Sequence, residues 1–146
     1  MAHRRPLYTA IAMLLVVIAL NAMFEVVTVD GDSMMPTLRN GQIVIASRRT
    51  GPVRRGDIVL VRRGRDILVK RVAYLPGEEL APLDRPLFRQ CSDFFEKGKS
   101  ADSVRVPASR LVVMGDNRAN SDDSRRFGPV PVADIVGRVT AALPFP

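Results

Sequence analysis

From Leu7 to Phe24 the chain runs for 18 residues without a charge, and its clearly polar members are Thr9 and Asn21. As a helix rising 1.5 Å per residue, that segment is about 27 Å long, close to the thickness of a bilayer's hydrocarbon core. His3, Arg4 and Arg5 precede it, and no basic residue follows until Arg39. The bias of Lys and Arg toward the cytoplasmic side therefore predicts an inside N-terminus with everything downstream outside. Val26 and Val27 prolong the apolar character. The expected organisation is a cytoplasmic end over residues 1–6, a transmembrane anchor over 7–27 and an extracytoplasmic domain over 28–146, in a single-pass protein of the cell membrane. A cleaved secretory signal has similar proportions. Against it, the small-x-small cleavage pattern is poor around Asn21 and Ala22.

Beyond the anchor, short apolar segments are split by Gly, Pro and Asp turns: Gln42–Ala46, Asp57–Val61, Ile67–Ala73, Val104–Val106, Leu111–Met114 and Val136–Ala141. This pattern predicts a mainly β domain of antiparallel strands. The stretch from Leu75 to Ala101 alternates little and reads as a long surface excursion, partly disordered.

Composition removes several chemistries. The formal charge of +7 comes from scattered Arg pairs without a basic helix, a zinc knuckle or interleaved aromatics, which argues against nucleic acid as a partner. Cys91 is the sole cysteine and no Cys/His cluster has metal spacing, so neither a disulfide within the chain nor a structural zinc is expected. The one histidine, His3, falls on the far side of the anchor, which excludes a Ser-His-Asp or Cys-His enzyme. Arginine stays protonated in proteins, whereas a desolvated lysine can lose its proton. A side-chain amine base must then be Lys70, Lys97 or Lys99, the three lysines of the chain.

Four segments carry chemistry or its support. In Val29–Leu38, Gly31 permits unusual backbone angles and Pro36 stiffens the exit, which would leave Ser33 exposed at the tip of a turn. In Asp66–Tyr74, the strand period puts Lys70 on one face with Leu68, Val72 and Tyr74, opposite Ile67, Val69, Arg71 and Ala73. Apolar company of that kind lowers a lysine pKa and readies the amine to take a hydroxyl proton. Arg54–Val61 reads as a turn entering a buried strand and is scaffold. Gly115–Val130 concentrates acids, amides and arginines. A calcium site from Asp116, Asn120 and Asp122 is opposed by Arg118, Arg125 and Arg126, and internal Asp–Arg pairs holding a rigid loop fit better.

Together GDSMMPTL, RRGDIVLV, LVKRV and GDNRANSDDSRRFGPV resemble, in order and character, the conserved boxes of bacterial type I signal peptidases, the Ser-Lys protease family. The resemblance covers the anchor and the four boxes and leaves the region from about Leu75 to Val112 without correspondence. It implies an antiparallel β-sheet catalytic domain that needs no metal or cofactor and removes N-terminal signal peptides from preproteins at the bilayer, as a monomer. It implies Ser33 as nucleophile, Lys70 as general base and Ser121 as the hydroxyl that orients the lysine amine. The oxyanion would be held by the Ser33 N–H. Gly31 stands where some members carry an additional hydroxyl donor. Asp116 with Arg71, and Asp123 with Arg125, match bracing ion pairs, with Asn117 and Ser124 in the same shell. Family members cut after small residues, and Val27, Val29, Met34, Leu38, Val44 and Val69 are the apolar candidates for the pocket walls. Rival readings are a specialised processing peptidase serving one maturation pathway, such as a metalloenzyme leader or a conjugative pilin, and an inactive membrane-tethered domain that binds exported peptides.

Overall fold

The structure, a computed structural model, describes residues 5–48, 51–100 and 102–144. His3 and Arg4 lie outside the described residues. Helix α1 spans Arg5–Met23. Every side chain described in it, from Leu7 onward, is exposed, and Asn21 donates its amide back to the Val17 carbonyl at 3.0 Å. Among the described residues no helix is long and apolar enough to cross a membrane. The expected anchor also ends early, because Phe24–Thr28 form strand β1. Apolar character flows from helix to strand without a Gly or Pro to mark the change, so hydropathy alone runs the two together.

Strands β2 (Ile43–Ser47), β3 (Ile58–Arg63), β4 (Asp66–Tyr74), β5 (Glu96–Lys97), β6 (Val104–Arg105), β7 (Arg110–Met114), β8 (Val130–Pro131) and β9 (Ile135–Ala142) follow. One sheet has the order β1-β2-β9-β3-β4-β7-β8, antiparallel at every pairing, and β5 with β6 makes a separate hairpin. The mainly β antiparallel expectation therefore holds. Breaks in register at Ile45/Ala46, Leu60/Val61 and Val72/Tyr74 bend the sheet. The bend lets residues of its two halves meet: Val29, Met34, Leu38, Val44, Ala46, Leu60 and Val69 form one buried cluster. Val59, Val61, Val72, Leu111, Val113 and Val130 form a second. The two faces of β4 thus feed different clusters, as its alternation predicts.

The excursion after Leu75 is ordered rather than loose through Ser100, and Ala101, its expected end, lies outside the described residues. A 3-10 helix over Arg85–Phe94 buries Phe88 and Cys91 against Tyr74, Leu80, Val106, Val112 and Met114. Phe88 and Phe95 meet edge to face at 5.4 Å between ring centres. Cys91 points its thiol at the Ser124 carbonyl, 3.4 Å away, which ties this lobe to the acidic loop. Burial pushes that thiol's pKa up, away from nucleophilic character.

Candidate active site

Between β1 and β2 the chain makes a tight excursion whose ends are clamped, Val29 N–H to the Gln42 carbonyl and Gly41 N–H to the Val29 carbonyl, each 2.8 Å. Gly31 takes φ +83°, a conformation that disfavours any side chain, and its N–H donates to Asn40 Oδ1 at 3.0 Å. Val29, Met34 and Leu38 are buried beneath the turn and hold it down. Ser33 lies at its crest but is half-buried, not an exposed tip, because the acidic loop closes over it. Asn117 N–H donates to the Ser33 carbonyl at 2.9 Å, and Asn117 Nδ2 donates to the Asp32 carbonyl at 3.1 Å. Both carbonyls are thereby turned toward that loop, while the Ser33 N–H has no hydrogen-bond partner among the described residues.

Lys70, in the middle of β4 and opposite Val59 of β3, is only 4% exposed. Its Nζ lies 2.6 Å from Ser33 Oγ. Desolvation by burial lowers its pKa below the ordinary lysine value, Asp123 and Asp122 work against that shift, and Arg125 adds to it. Lys97 and Lys99 are exposed in and beside the β5–β6 hairpin.

Arg71, the next residue, faces the other way. Its Nε and Nη2 reach the two Asp116 oxygens at 2.8 and 2.7 Å, and its Nη1 donates to the Gly56 carbonyl at 2.7 Å. Burial alone would raise the Asp116 pKa, but the hydrogen bonds from Arg71 and Thr37 outweigh it and keep the carboxylate ionised. Asp123 is fully buried and accepts four bonds: from Arg125 Nε, Nη2 and N–H at 2.9, 2.8 and 3.1 Å, and from Gly115 N–H at 3.0 Å. Ser124, at the start of the short helix α2 (Ser124–Phe127), accepts the Val113 N–H at 3.0 Å. Asp122 sits outside this set, exposed, 3.8 Å from both Arg63 and Arg126. The acids of the loop are thus partnered by arginines, as expected from their interleaving.

Ser121 departs from expectation. Its buried Oγ makes no hydrogen bond among the described residues, so it does not hold the Lys70 amine here, although it is near enough to Asp123 to help keep that carboxylate ionised. It is wedged against Gly115 instead. A Cβ on Gly115 would fall 2.2 Å from Ser121 Oγ and 2.5 Å from the Ser33 carbonyl oxygen. The second neighbour is backbone and cannot rotate away. Gly115→Ala is therefore expected to destabilise the domain by about 1–3 kcal/mol and to displace the Ser33 turn. Thermal unfolding and peptide cleavage measured together check this, and a variant with wild-type values in both would refute the close packing.

Thr28, Val29, Asp30 and Ser33 on one side and Asp66, Ile67, Leu68, Val69 and Lys70 on the other line a cavity of about 430 Å³. Of the expected wall residues, Val29 and Val69 line it; Val27, Met34, Leu38 and Val44 pack in the core beneath. The polar lining by Thr28, Asp30 and Asp66 and the clamp by Asn117 were not read from the sequence, since neither follows from strand periodicity. A larger cavity of about 570 Å³ beside Arg55, Tyr74, Arg118 and Arg125 contains neither Ser33 nor Lys70.

The family model described as signal peptidase, peptidase S26, matches residues 4–90 and 84–143. A protein of Bacillus caldolyticus named signal peptidase I is 34% identical over 140 residues, covering 80% of this chain and 77% of that protein. The mitochondrial ATP-independent inner membrane protease subunit 1a of Arabidopsis thaliana is 39% identical over 117 residues, 75% of this chain and 64% of its own. A Staphylococcus aureus protein named inactive signal peptidase IA is 30% identical over 129 residues, 77% of this chain and 74% of that one.

Proposed function

The chain belongs to the signal peptidase, peptidase S26, family, and we propose that it is an active, membrane-held serine endopeptidase that removes signal peptides from exported preproteins. Since a relative is named inactive, membership does not decide activity. The observation that carries the reading is the 2.6 Å approach of Lys70 Nζ to Ser33 Oγ at the head of the cavity.

Neutral Lys70 takes the hydroxyl proton as Ser33 Oγ attacks the scissile carbonyl carbon. The carbonyl oxygen becomes an oxyanion, for which the unpartnered Ser33 N–H is the donor at hand. Collapse breaks the C–N bond, and the ammonium of Lys70 returns its proton to the leaving amine. Water, deprotonated by the same lysine, then hydrolyses the Ser33 ester. Two extended segments, 28–30 and 66–70, face each other across the cavity and favour a substrate lying as a strand between them. Its modest volume and the Val29 and Val69 walls favour small side chains of the Ala-x-Ala kind next to the cut. Support for membrane attachment comes from α1, whose described side chains are all exposed and, Thr9 and Asn21 aside, largely apolar, with His3, Arg4 and Arg5 keeping the N-terminus in the cytoplasm.

The test is cleavage of a secretory preprotein with an Ala-x-Ala site, in detergent, by the wild type and by Ser33→Ala. The expected result is cleavage at that site by the wild type and a rate lowered roughly 10⁴-fold or more in the variant. Equal cleavage by both would remove Ser33 from the mechanism. Cleavage by neither would leave a dedicated substrate or a peptide-binding role.

A further inference from the structure

The antiparallel order of the sheet gives its strands a common bottom. β1, β9 and β4 run one way and β2, β3 and β7 the other, so the β3–β4 turn lies at the end where β1 begins and from which α1 departs. That end is cationic. Arg62, Arg63 and Arg65 flank Gly64 in the turn, all exposed. Arg48 joins them from the end of β2, its N–H bonded to the Met23 carbonyl at 2.8 Å. The acids nearby are Glu25, 3.7 Å from Arg48, Asp122, 3.8 Å from Arg63, and Asp66, whose backbone stands opposite that of Arg63 in the strand register. Arg63 also stacks on Phe127 at 4.4 Å. Arg62 and Arg65 have no carboxylate within 4.0 Å among the described residues. Two uncompensated arginines at the end of the sheet from which an apolar helix departs match the charge of phosphate headgroups around such a helix.

We propose that the β3–β4 turn, through Arg62, Arg63 and Arg65, with Arg48 at the same end of the sheet, docks on the anionic headgroups of the bilayer that holds α1. The inference rests on the membrane attachment proposed above and adds what sets the tilt of the domain. Asp66 belongs both to the arginine turn and to the lining of the cavity. Docking the turn therefore brings the mouth of the groove to the membrane surface, where the segment joining a signal peptide to its mature protein emerges.

The experiment places the full chain in lipid nanodiscs of phosphatidylcholine alone, or of phosphatidylcholine with phosphatidylglycerol, each containing a headgroup-nitroxide lipid. Backbone amide signals of residues 62–66 are expected to broaden strongly in the anionic discs, weakly in the neutral ones, and less at high salt. The turn around Gly77, at the opposite end of β4, should stay sharp in both. Arg62→Gln with Arg65→Gln should weaken docking about fivefold per arginine removed without altering cleavage of a short soluble peptide in detergent. Equal broadening in neutral and anionic discs, or broadening untouched by the double substitution, would overturn the docking alone. Failure of the chain to enter either disc would overturn the membrane attachment and the docking with it, whatever its peptidase activity.

Discussion

Substituting Lys70 by arginine lowers the rate of peptide cleavage by about 10²- to 10⁴-fold, and substituting it by methionine does the same while stabilising the domain. The two variants separate charge from shape. Arginine keeps a cation of similar reach, but guanidinium does not release its proton in a protein and cannot accept one from Ser33. Methionine keeps the apolar stem and removes the nitrogen. The buried amine is a burden to the fold: desolvation by burial holds its pKa below the ordinary 10.5, with Asp123 and Asp122 only partly opposing. Between the folded value and 10.5 the unfolded chain binds more protons than the folded one, so wild-type stability rises with pH through that window. Below the folded value the penalty is present in full. Lys70→Met should lack that rise and gain on the order of 1 kcal/mol at neutral pH. Activity should follow the neutral amine, falling tenfold per pH unit below the folded pKa. Turnover by Lys70→Arg comparable to wild type, or an activity midpoint at or above 10.5, would sink the assignment of the base.

What was legible in the sequence follows from what sequence encodes locally. β4 is readable because alternation over nine residues fixes both faces, and Lys70 stands out because so few amines exist in the chain. Ser33 is not distinguishable by composition from any loop serine; it gained meaning from the order of four boxes. β1 was hidden because Phe24, Val26 and Val27 carry the helix's apolar character past Met23, so the boundary at Met23 and Phe24 is set by pairing with β2, a contact made across the chain. The 3-10 lobe was hidden for a related reason. Phe88 and Cys91 have no periodic company, and their burial depends on Leu80, Val106 and Val112, which come from three other segments. Likewise the pocket candidates were chosen as apolar residues near the dyad, and the sheet's bend sends most of them into the core. Depth below a surface is a property of the bend and is not carried by residue type.

Asp123→Ala is expected to cost about 3–5 kcal/mol and with it the active site, the largest stability loss of any single change around the dyad. Asp123 has no exposed surface, and its four bonds come from the half-buried Arg125 and the buried Gly115 N–H. Removing it strands a guanidinium whose side chain is 19% exposed and the buried Gly115 N–H. Burial would by itself raise the Asp123 pKa, but the bonds from Arg125 and Gly115, with the Ser121 hydroxyl nearby, more than reverse this and hold it below the ordinary 3.8. With a depressed folded value, the stabilisation is complete above 3.8 and is lost as pH falls through the folded value. Asp123→Ala should therefore unfold at lower temperature at neutral pH and lose the part of acid sensitivity that the wild type owes to this group. Asp123→Asn keeps the shape but presents an amide donor to a guanidinium that is also a donor, so it should recover little. Arg125→Leu in the Asp123→Leu background removes both charges and should restore part of the stability. If the double variant were no more stable than either single one, the pair would not be the source of the loss. Recovery of stability without recovery of cleavage would mean that this ion pair also sets the field in which Lys70 gives up its proton.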